Sequence, residues 1–297
     1  MANLRDIRTR INSVITTKQV TSAMKMVSAA KLKKAQEEVS NIRPYSDNMS
    51  ELISRLAKSS PDREIDFAKT PTKGEKETID KTLIIAMASN RGLCGAFNSN
   101  VVKEVQLLLA DEYKEDYKSG NVYFHVLGRQ IEKQFKSRNI KVDGENHDLL
   151  EKINYSNASE YAESLMKDYI DGKFNKIIVV YNEFRNAAVQ IIKTKQFLPF
   201  TLEEYDEYAF TDEYIYEPDV KTIITEMIPK MLKVSLFRIL LESQASEHGA
   251  RMTSMHKATD NAEELIKDLQ LGYNKARQAS ITNQIVEITG GAEALKG

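Results

Sequence analysis

Apolar residues recur at alternating spacings of three and four near both ends of the chain. At the N-terminal end the repeat is formed by Leu4, Ile7, Ile11 and Val14. Alternating spacings of this kind place one seam along a helix and are typical of coiled coils. The pattern predicts coiled-coil helices over residues 1–58 and 218–289. The C-terminal repeat consists of Met227, Met231, Val234, Arg238, Leu241, Ala245, His248, Met252, Met255, Thr259, Ala262, Ile266, Leu269, Tyr273 and Ala276.

The middle of the chain, residues 77–201, has short apolar runs between helical patterns. Strands that alternate with helices indicate a mainly parallel sheet covered on both faces. The short connection before the last strand favours an antiparallel position at the sheet edge. We therefore expect an α/β fold, with a central Rossmann-like domain between two long terminal helices. Strands are predicted at residues 82–88, 122–127, 176–181 and 187–197, and helices at residues 100–117, 129–136 and 158–170.

Two connecting segments separate these parts. Residues 59–76 contain proline and glycine and are predicted to be a linker, and residues 202–217 form an acidic, tyrosine-rich surface segment. The C-terminal helix would be ~108 Å long if straight, which exceeds the diameter of the middle domain. The simplest arrangement is an antiparallel coiled coil of the terminal helices that projects from the α/β domain. The small residues within the stretch 16–30 would then face an enclosing protein.

Proline and glycine also predict how the long helices begin, bend and end. Pro218 suits the first turn of the C-terminal helix, where its missing N–H costs nothing. Pro44 predicts a kink or break and Pro229 a bend in the first turns of the C-terminal helix, because an interior proline removes a hydrogen bond. The pair Gly290 and Gly291 predicts the end of the C-terminal helix.

Composition narrows the function classes. The chain has 42 Lys and Arg against 43 Asp and Glu, so no global charge points to nucleic acid. Its one cysteine, Cys94, excludes an intramolecular disulfide and a multi-thiolate zinc site. No apolar run is long enough to span a membrane, and the N-terminus has no signal-peptide pattern. We expect a cytosolic chain.

Candidate catalytic groups are few. The turn of residues 89–95, called the central turn below, follows a predicted strand and precedes a helix, as phosphate-binding turns do. It lacks the complete glycine-rich fingerprints, so a packing turn is the preferred interpretation. Cys94 beside Arg91 would need a base to act as a nucleophile, and His125 and His147 are the candidates in the domain. The alternative is a buried thiol and a satisfied histidine.

The remaining charged groups indicate contact rather than catalysis. His248 and His256 lie eight positions apart, whereas helical metal pairs lie four apart, so they are interpreted as seam or surface residues. The N-terminal helix is basic up to Arg43 but has no interleaved aromatic residues. An acidic protein partner therefore fits better than nucleic acid or a membrane. We expect no cofactor, no metal and no catalytic site.

Four separated motifs resemble one family. Residues 6–14 and 21–31 resemble the opening helix of the γ subunits of rotary ATP synthases. The central turn, S-N-R-G-L-C-G, resembles that family's S-D-R-G-L-C-G, with Asn90 where Asp is usual. Residues 252–262 and 271–282 resemble the C-terminal signature of the family. The similarity runs from end to end of the chain and is identified as that of a bacterial-type member.

The resemblance implies a central-stalk rotor that turns inside three α and three β subunits and has no catalytic site of its own. Ion flow through the membrane c-ring would be coupled to ATP synthesis or hydrolysis on β. The chain would be peripheral, without a membrane span, at the cytoplasmic face of the bacterial membrane. The matching contact positions are Met24, Lys25, Arg277, Gln278 and Thr282 for β, and Tyr205, Glu207 and Tyr208 for the ε subunit and the membrane ring.

Two alternatives remain open at the level of sequence. A coiled-coil adaptor without rotary function would form a binary complex and leave ATP hydrolysis unchanged. A small-molecule enzyme would bind its ligand on the α/β domain. The absent phosphate loop counts against the enzyme, and the end-to-end motif match counts against the adaptor.

Overall fold

The computed structural model describes residues 4–59, 80–200 and 216–294. Most of the predicted linker and of the acidic segment lies outside these residues. The described chain alternates helices and strands between two very long terminal helices. The elements are α1 (Leu4–Ser59), β1 (Thr82–Met87), α2 (Phe97–Ala110), α3 (Lys114–Lys118), β2 (Val122–Leu127), α4 (Arg129–Ser137), β3 (Gly144–Glu145), a 3₁₀ turn (Asp148–Leu150), α5 (Tyr155–Ile170), β4 (Lys176–Phe184), β5 (Gln190–Leu198) and α6 (Val220–Ala294).

The strands form one mixed sheet in the order β3-β2-β1-β4-β5. Strands β1 to β4 are parallel, and β5 pairs antiparallel with β4 at the edge. The α/β fold class and the antiparallel edge are thereby confirmed. Every residue of β1 is buried, as expected for a central strand covered on both faces. The two-residue strand β3 was not predicted, because it is too short to produce a periodic pattern.

Apolar cores lie on both faces of the sheet. One face packs against α2 and α4, through residues such as Val101 and Phe135. The other face packs against α5 and against parts of both terminal helices, including Ile53 of α1 and Leu236 of α6. The predicted helix 100–117 is divided in two, since α2 ends at Ala110 and α3 begins four residues later.

The long helices run through their prolines without a break. Pro44 lies inside α1 and Pro229 inside α6, so Pro44 does not break its helix. An interior proline costs a helix about 3 kcal/mol, which tertiary packing can offset. Ser46 and Ile228 are buried close to these prolines and supply such packing.

Both predicted ends of α6 are also corrected. The helix begins at Val220, and Pro218 lies outside it. The carboxylate of Asp219 instead accepts hydrogen bonds from the N–H and the hydroxyl of Thr222, at 2.9 and 2.7 Å, and takes the capping role. At the other end α6 continues through Gly290 and Gly291 to Ala294. Glycine weakens a helix by about 1 kcal/mol but removes no hydrogen bond, so it need not end one.

The chain forms two compact units. The first unites residues up to 28 with residues from 252 onwards, and the second comprises residues 29–251. In the first unit Lys18 pairs with Glu263 at 3.0 Å, and the hydroxyl of Thr259 donates to that of Thr21 at 2.9 Å. The partner number falls as the α1 number rises, so the two helices are antiparallel there.

The second unit also contains antiparallel stretches of α1 and α6. Arg43 pairs with Glu242, and Asp47 pairs with Arg238. In both units the less exposed positions of α1 keep the three-four spacing. In the first unit the later of these α1 positions are polar, among them Lys18 and Thr21.

Candidate functional site

Met24 and Lys25 lie on α1 in the first unit and are both half-buried. The Lys25 ammonium is 3.3 Å from Nδ1 of His256 on α6. Asp260, one turn further along α6, has a carboxylate oxygen 3.4 Å from the same nitrogen. Lys25 is thus held beside the seam by its neighbours. Its charge lies at the edge of the helix pair, where a partner can reach it.

Arg277, Gln278 and Thr282 lie on neighbouring turns of α6 and are exposed. The Thr282 hydroxyl donates to the backbone carbonyl of Gln278 at 3.0 Å. The Arg277 and Gln278 side chains are therefore presented to solvent on a helix. Directed donors on a regular helix suit recognition of carboxylates or carbonyls on a partner.

The two groups of predicted contact residues are not brought together. Lys25 lies opposite His256, and Arg277 is 21 positions further along α6, which corresponds to about 31 Å of helix. They can therefore contact separate parts of a large partner. The residues predicted at the other contact, Tyr205, Glu207 and Tyr208, lie outside the described residues.

The central turn packs against the rest of the domain. The N–H of Ser89 donates to the side-chain oxygen of Asn98 at 2.9 Å. The carbonyl of Ser89 in turn accepts the N–H of Gln130, at the start of α4, at 3.1 Å. Gly128 has φ +114°, and a Cβ there would lie 2.3 Å from the carbonyl oxygen of Ala88, so only glycine fits. These bonds engage the N–H groups of Ser89 and Gln130 within the domain, which favours the packing interpretation.

Asn90 connects the central turn to two other segments. Its side-chain oxygen accepts the N–H of Arg129 at 3.1 Å, and its side-chain nitrogen donates to the carbonyl of His147 at 3.0 Å. A carboxylate could accept the first bond but could not donate the second. The departure from the usual Asp therefore has a structural reason in this chain.

Cys94 is a buried thiol and is 1% exposed. Burial raises its pKa above the ordinary value, so the thiolate is disfavoured. Its polar neighbours are Ser89, Asn98 and the carbonyl of Arg91. His125 instead has the Tyr161 hydroxyl as its neighbour at 3.5 Å, and burial lowers its pKa. The arrangement favours the structural interpretation of both residues.

One cluster that the sequence did not suggest consists of Glu132, Glu145 and His147, whose ligand atoms lie within 4.8 Å of one another. The His147 Nδ1 accepts the N–H of Gly128 at 3.2 Å, so Nε2 carries the proton and donates to Glu132 at 2.9 Å. A metal on Nε2 would require the proton on Nδ1, facing that N–H. The cluster therefore fits a hydrogen bond and not a metal site. Lys136 and the His147 ring lower the pKa of the Glu132 carboxyl.

Buried ion pairs are a second feature missed from the sequence. Glu242 of α6 is 1% exposed and pairs with Arg43 at 2.9 Å and with Arg238 at 3.1 Å. Further along α6, Arg251 pairs with Glu247 at 2.6 Å. A buried charge is costly without a partner, so these four-residue spacings of Glu and Arg on one helix could have signalled paired, inward-facing groups.

The chain resembles known proteins over its whole length. A family model described as ATP synthase matches residues 3–295. The ATP synthase gamma chain of Christiangramia forsetii is 46% identical over 297 residues, covering both chains completely. Those of Cytophaga hutchinsonii and Chlorobaculum tepidum are 43% and 39% identical, covering 99% and 100% of both chains. This chain belongs to the ATP synthase gamma chain family.

Chains of solved structures share the fold of this chain. The rotor of the Euglena gracilis mitochondrial ATP synthase has a chain with a TM-score of 0.60 at 16% identity, covering 94% of this chain and 98% of that one. The central stalk of the Tetrahymena thermophila enzyme gives 0.55 at 24% identity, covering 80% and 99%. No helix within the described residues combines the length and apolar character needed to cross a membrane.

Proposed function

We propose that this gamma chain is the central-stalk rotor of a bacterial rotary ATP synthase and has no catalytic site of its own. The observation that carries the proposal is the match to bacterial gamma chains over the complete length of both sequences. The proposed partners are three α and three β subunits around one copy, together with an ε subunit and the membrane c-ring. The proposed location is peripheral, at the cytoplasmic face of the membrane.

Exposed apolar side chains of the first unit support an enclosing partner. Val20, Met26 and Val27 of α1 are 53%, 65% and 57% exposed, although they are flanked by well-packed seam positions. At the end of α6, Ile285, Val286 and Ile288 are similarly exposed. A group of large exposed apolar side chains marks a protein contact, and this chain has two such groups. A sleeve around the helix pair would cover them.

The mechanism follows from the asymmetry of the helix pair. Two antiparallel helices of different sequence present different side chains in each direction, so three β subunits around them would each meet a different surface. Each β is then held in a different conformation, and rotation exchanges these states by differential contact. In this arrangement Met24 and Lys25 meet an acidic segment of β, and Arg277, Gln278 and Thr282 hydrogen-bond β near the end of the shaft. Tyr205, Glu207 and Tyr208 are proposed to contact ε and the ring.

Subunit stoichiometry tests the proposal. The chain would be purified from its native host with an affinity tag inserted within residues 60–75, and the recovered subunits quantified. The expected result is three α and three β per copy of this chain. A binary complex, or the chain alone, would contradict the rotor function and favour the adaptor.

Substitutions test the contact residues. In the assembled complex, Arg277→Ala is expected to lower maximal ATP hydrolysis at least about threefold, since a directed Arg contact is lost. Lys275→Ala, on the same exposed stretch of α6, is the matched control. Lys25→Glu should have a similar effect and Lys25→Arg little, because only the first reverses the charge. Equal rates in Arg277→Ala and Lys275→Ala would remove these positions from the proposed contact.

A further inference from the structure

The carboxyl ends of β1 and β4 meet where the strand order changes direction. In parallel α/β sheets this position is a crevice that binds ligands. Here the chain's own helix α6 approaches it closely. A Cβ on Gly249 would lie 3.1 Å from the carbonyl oxygen and 3.2 Å from the Cα of Ala187, which follows β4. A helix therefore lies against this edge of the sheet.

Arg251 binds the connection that follows β1. Its guanidinium donates to the carbonyl oxygen of Arg91 at 2.9 Å and to that of Gly92 at 3.4 Å. Its other side donates to the Glu247 carboxylate at 2.6 Å. Only 8% of Arg251 is exposed. The side chain is thus fixed between its own helix and the sheet edge.

Arg43 makes the corresponding contact at the end of β4. Its guanidinium donates to the carbonyl oxygen of Phe184, the last residue of the strand, at 2.8 Å. It also donates to the buried carboxylate of Glu242 on α6 at 2.9 Å. Glu242 in turn accepts a hydrogen bond from Arg238. One arginine from each long helix therefore binds a carbonyl at the carboxyl edge, and each is paired with a glutamate of α6.

These contacts add to the apolar packing of α6 on the domain, which extends to Ala250 beside Cys94 and Phe97. The α6 residues in the core under the sheet run from Ile224 to Leu240. Apolar burial is non-directional and resists sliding of a helix only weakly. A guanidinium fork fixes distance and angle together. Beyond Leu240, Arg43 and Arg251 add directed bonds between the long helices and the sheet edge.

We propose that Arg43 and Arg251 are positioning residues that lock α1 and α6 to the α/β domain against twisting, so that torque passes between the domain and the helices. This inference rests on the proposed rotor function. It concerns how stiffly α1 and α6 are attached to the α/β domain, and not whether they are attached.

The test measures torsional stiffness in the assembled complex. A gold rod is attached through a cysteine introduced by Lys118→Cys on the exposed helix α3, while Cys94 is buried and does not compete. With the α and β subunits fixed to a surface and rotation stalled, the angular variance of the rod reports the compliance of the joint. Arg251→Met is expected to increase the variance at least about twofold, because directed bonds are lost. Arg251→Lys, which retains the pair with Glu247, should give a smaller increase.

Arg129→Met is the matched control, since Arg129 lies on the same domain in a half-exposed pair with Glu151. If Arg251→Met does not assemble, the test uses Arg251→Lys and Arg43→Lys. The angular variance of the rod should be larger in both than in the control. Variances equal to the control in complexes that rotate would overturn the inference. Failure of the unsubstituted chain to assemble with three α and three β, or to rotate with ATP, would instead overturn the proposed function.

Discussion

The side-chain amide of Asn90 donates to the backbone carbonyl of His147 across 3.0 Å and so ties the central turn to a segment 57 positions away. Asn90→Asp would replace this donor by a second acceptor. We expect the free energy of unfolding to fall by about 1–2 kcal/mol at neutral pH, because a carbonyl loses its partner and faces a negative charge. The measurement is thermal unfolding of the purified chain.

The deficit of Asn90→Asp should shrink towards pH 4, where a protonated carboxyl can donate again. Comparison with the unsubstituted chain at each pH removes the effects of other groups. An equal deficit at both pH values would show that the Asn90 donor is not the cause.

Gly249 and Gly272 are both interior glycines of α6 with different surroundings. A Cβ on Gly249 would lie 3.1 Å from backbone, whereas nothing lies within 4 Å of one on Gly272. Gly249→Leu should lower the free energy of unfolding by about 2 kcal/mol through overpacking. Gly272→Leu should raise it by about 0.5–0.8 kcal/mol, because leucine is the better helix former. Calorimetry of both variants tests this difference. A lower free energy of unfolding in both variants would contradict the prediction.

The buried carboxylate of Glu242 holds two guanidinium groups. Glu242→Gln is expected to destabilise the chain by about 2–3 kcal/mol, because Arg43 and Arg238 lose their shared counter-charge. Glu263→Gln removes a carboxylate that is half exposed and paired with Lys18, and solvent already screens that pair. Its unfolding midpoint should not change. Denaturant titration of both variants measures the two midpoints. Equal midpoints would show that burial of Glu242 does not increase the contribution of its ion pairs to stability.

Protonation of His248 makes the free energy of unfolding depend on pH. Burial, with Arg251 and Lys31 nearby, lowers its pKa to about 4. The unfolded chain therefore binds the proton more tightly, and stability is lost as the pH falls from about 6.5 towards 4. The upper limit is about 1.4 kcal/mol per pH unit. His248→Gln should flatten this part of the stability profile, whereas Gln244→Asn on the same helix should not. A profile unchanged by His248→Gln would contradict the prediction.

The sequence was informative wherever a periodic pattern was long. The three-four repeat predicted α1 and α6, and the apolar runs predicted β1, β2, β4 and β5, because burial on one or both faces imposes those periods. It failed at α6's first turn, where Pro218 suggested the start but Asp219 makes the capping bonds. Neighbouring residues such as Pro218 and Asp219 can each signal a helix start. The three-dimensional structure is needed to tell which of them caps the helix.

The contact residues were named from the family resemblance and not from periodicity. Met24, Lys25, Arg277, Gln278 and Thr282 stay predictions, and no sequence pattern places Lys25 beside His256 or separates the two groups by about 31 Å of helix. Contacts such as Arg251 to the carbonyl of Arg91 join positions far apart in sequence. They depend on the packing of α6 against the sheet edge, which is a property of the whole unit.

The seam of the first unit contains three polar pairs in succession: Lys18 with Glu263, Thr21 with Thr259, and Lys25 with His256. Two helices joined by a purely apolar seam can shift by one heptad and bury nearly the same area. Here a shift of that size towards lower α6 numbers would set Lys18 against His256 and leave Glu263 without its partner. Polar seam positions cost stability but specify one alignment. The three polar pairs therefore fix α1 and α6 of the first unit in one alignment. A force applied to either helix is then carried by both.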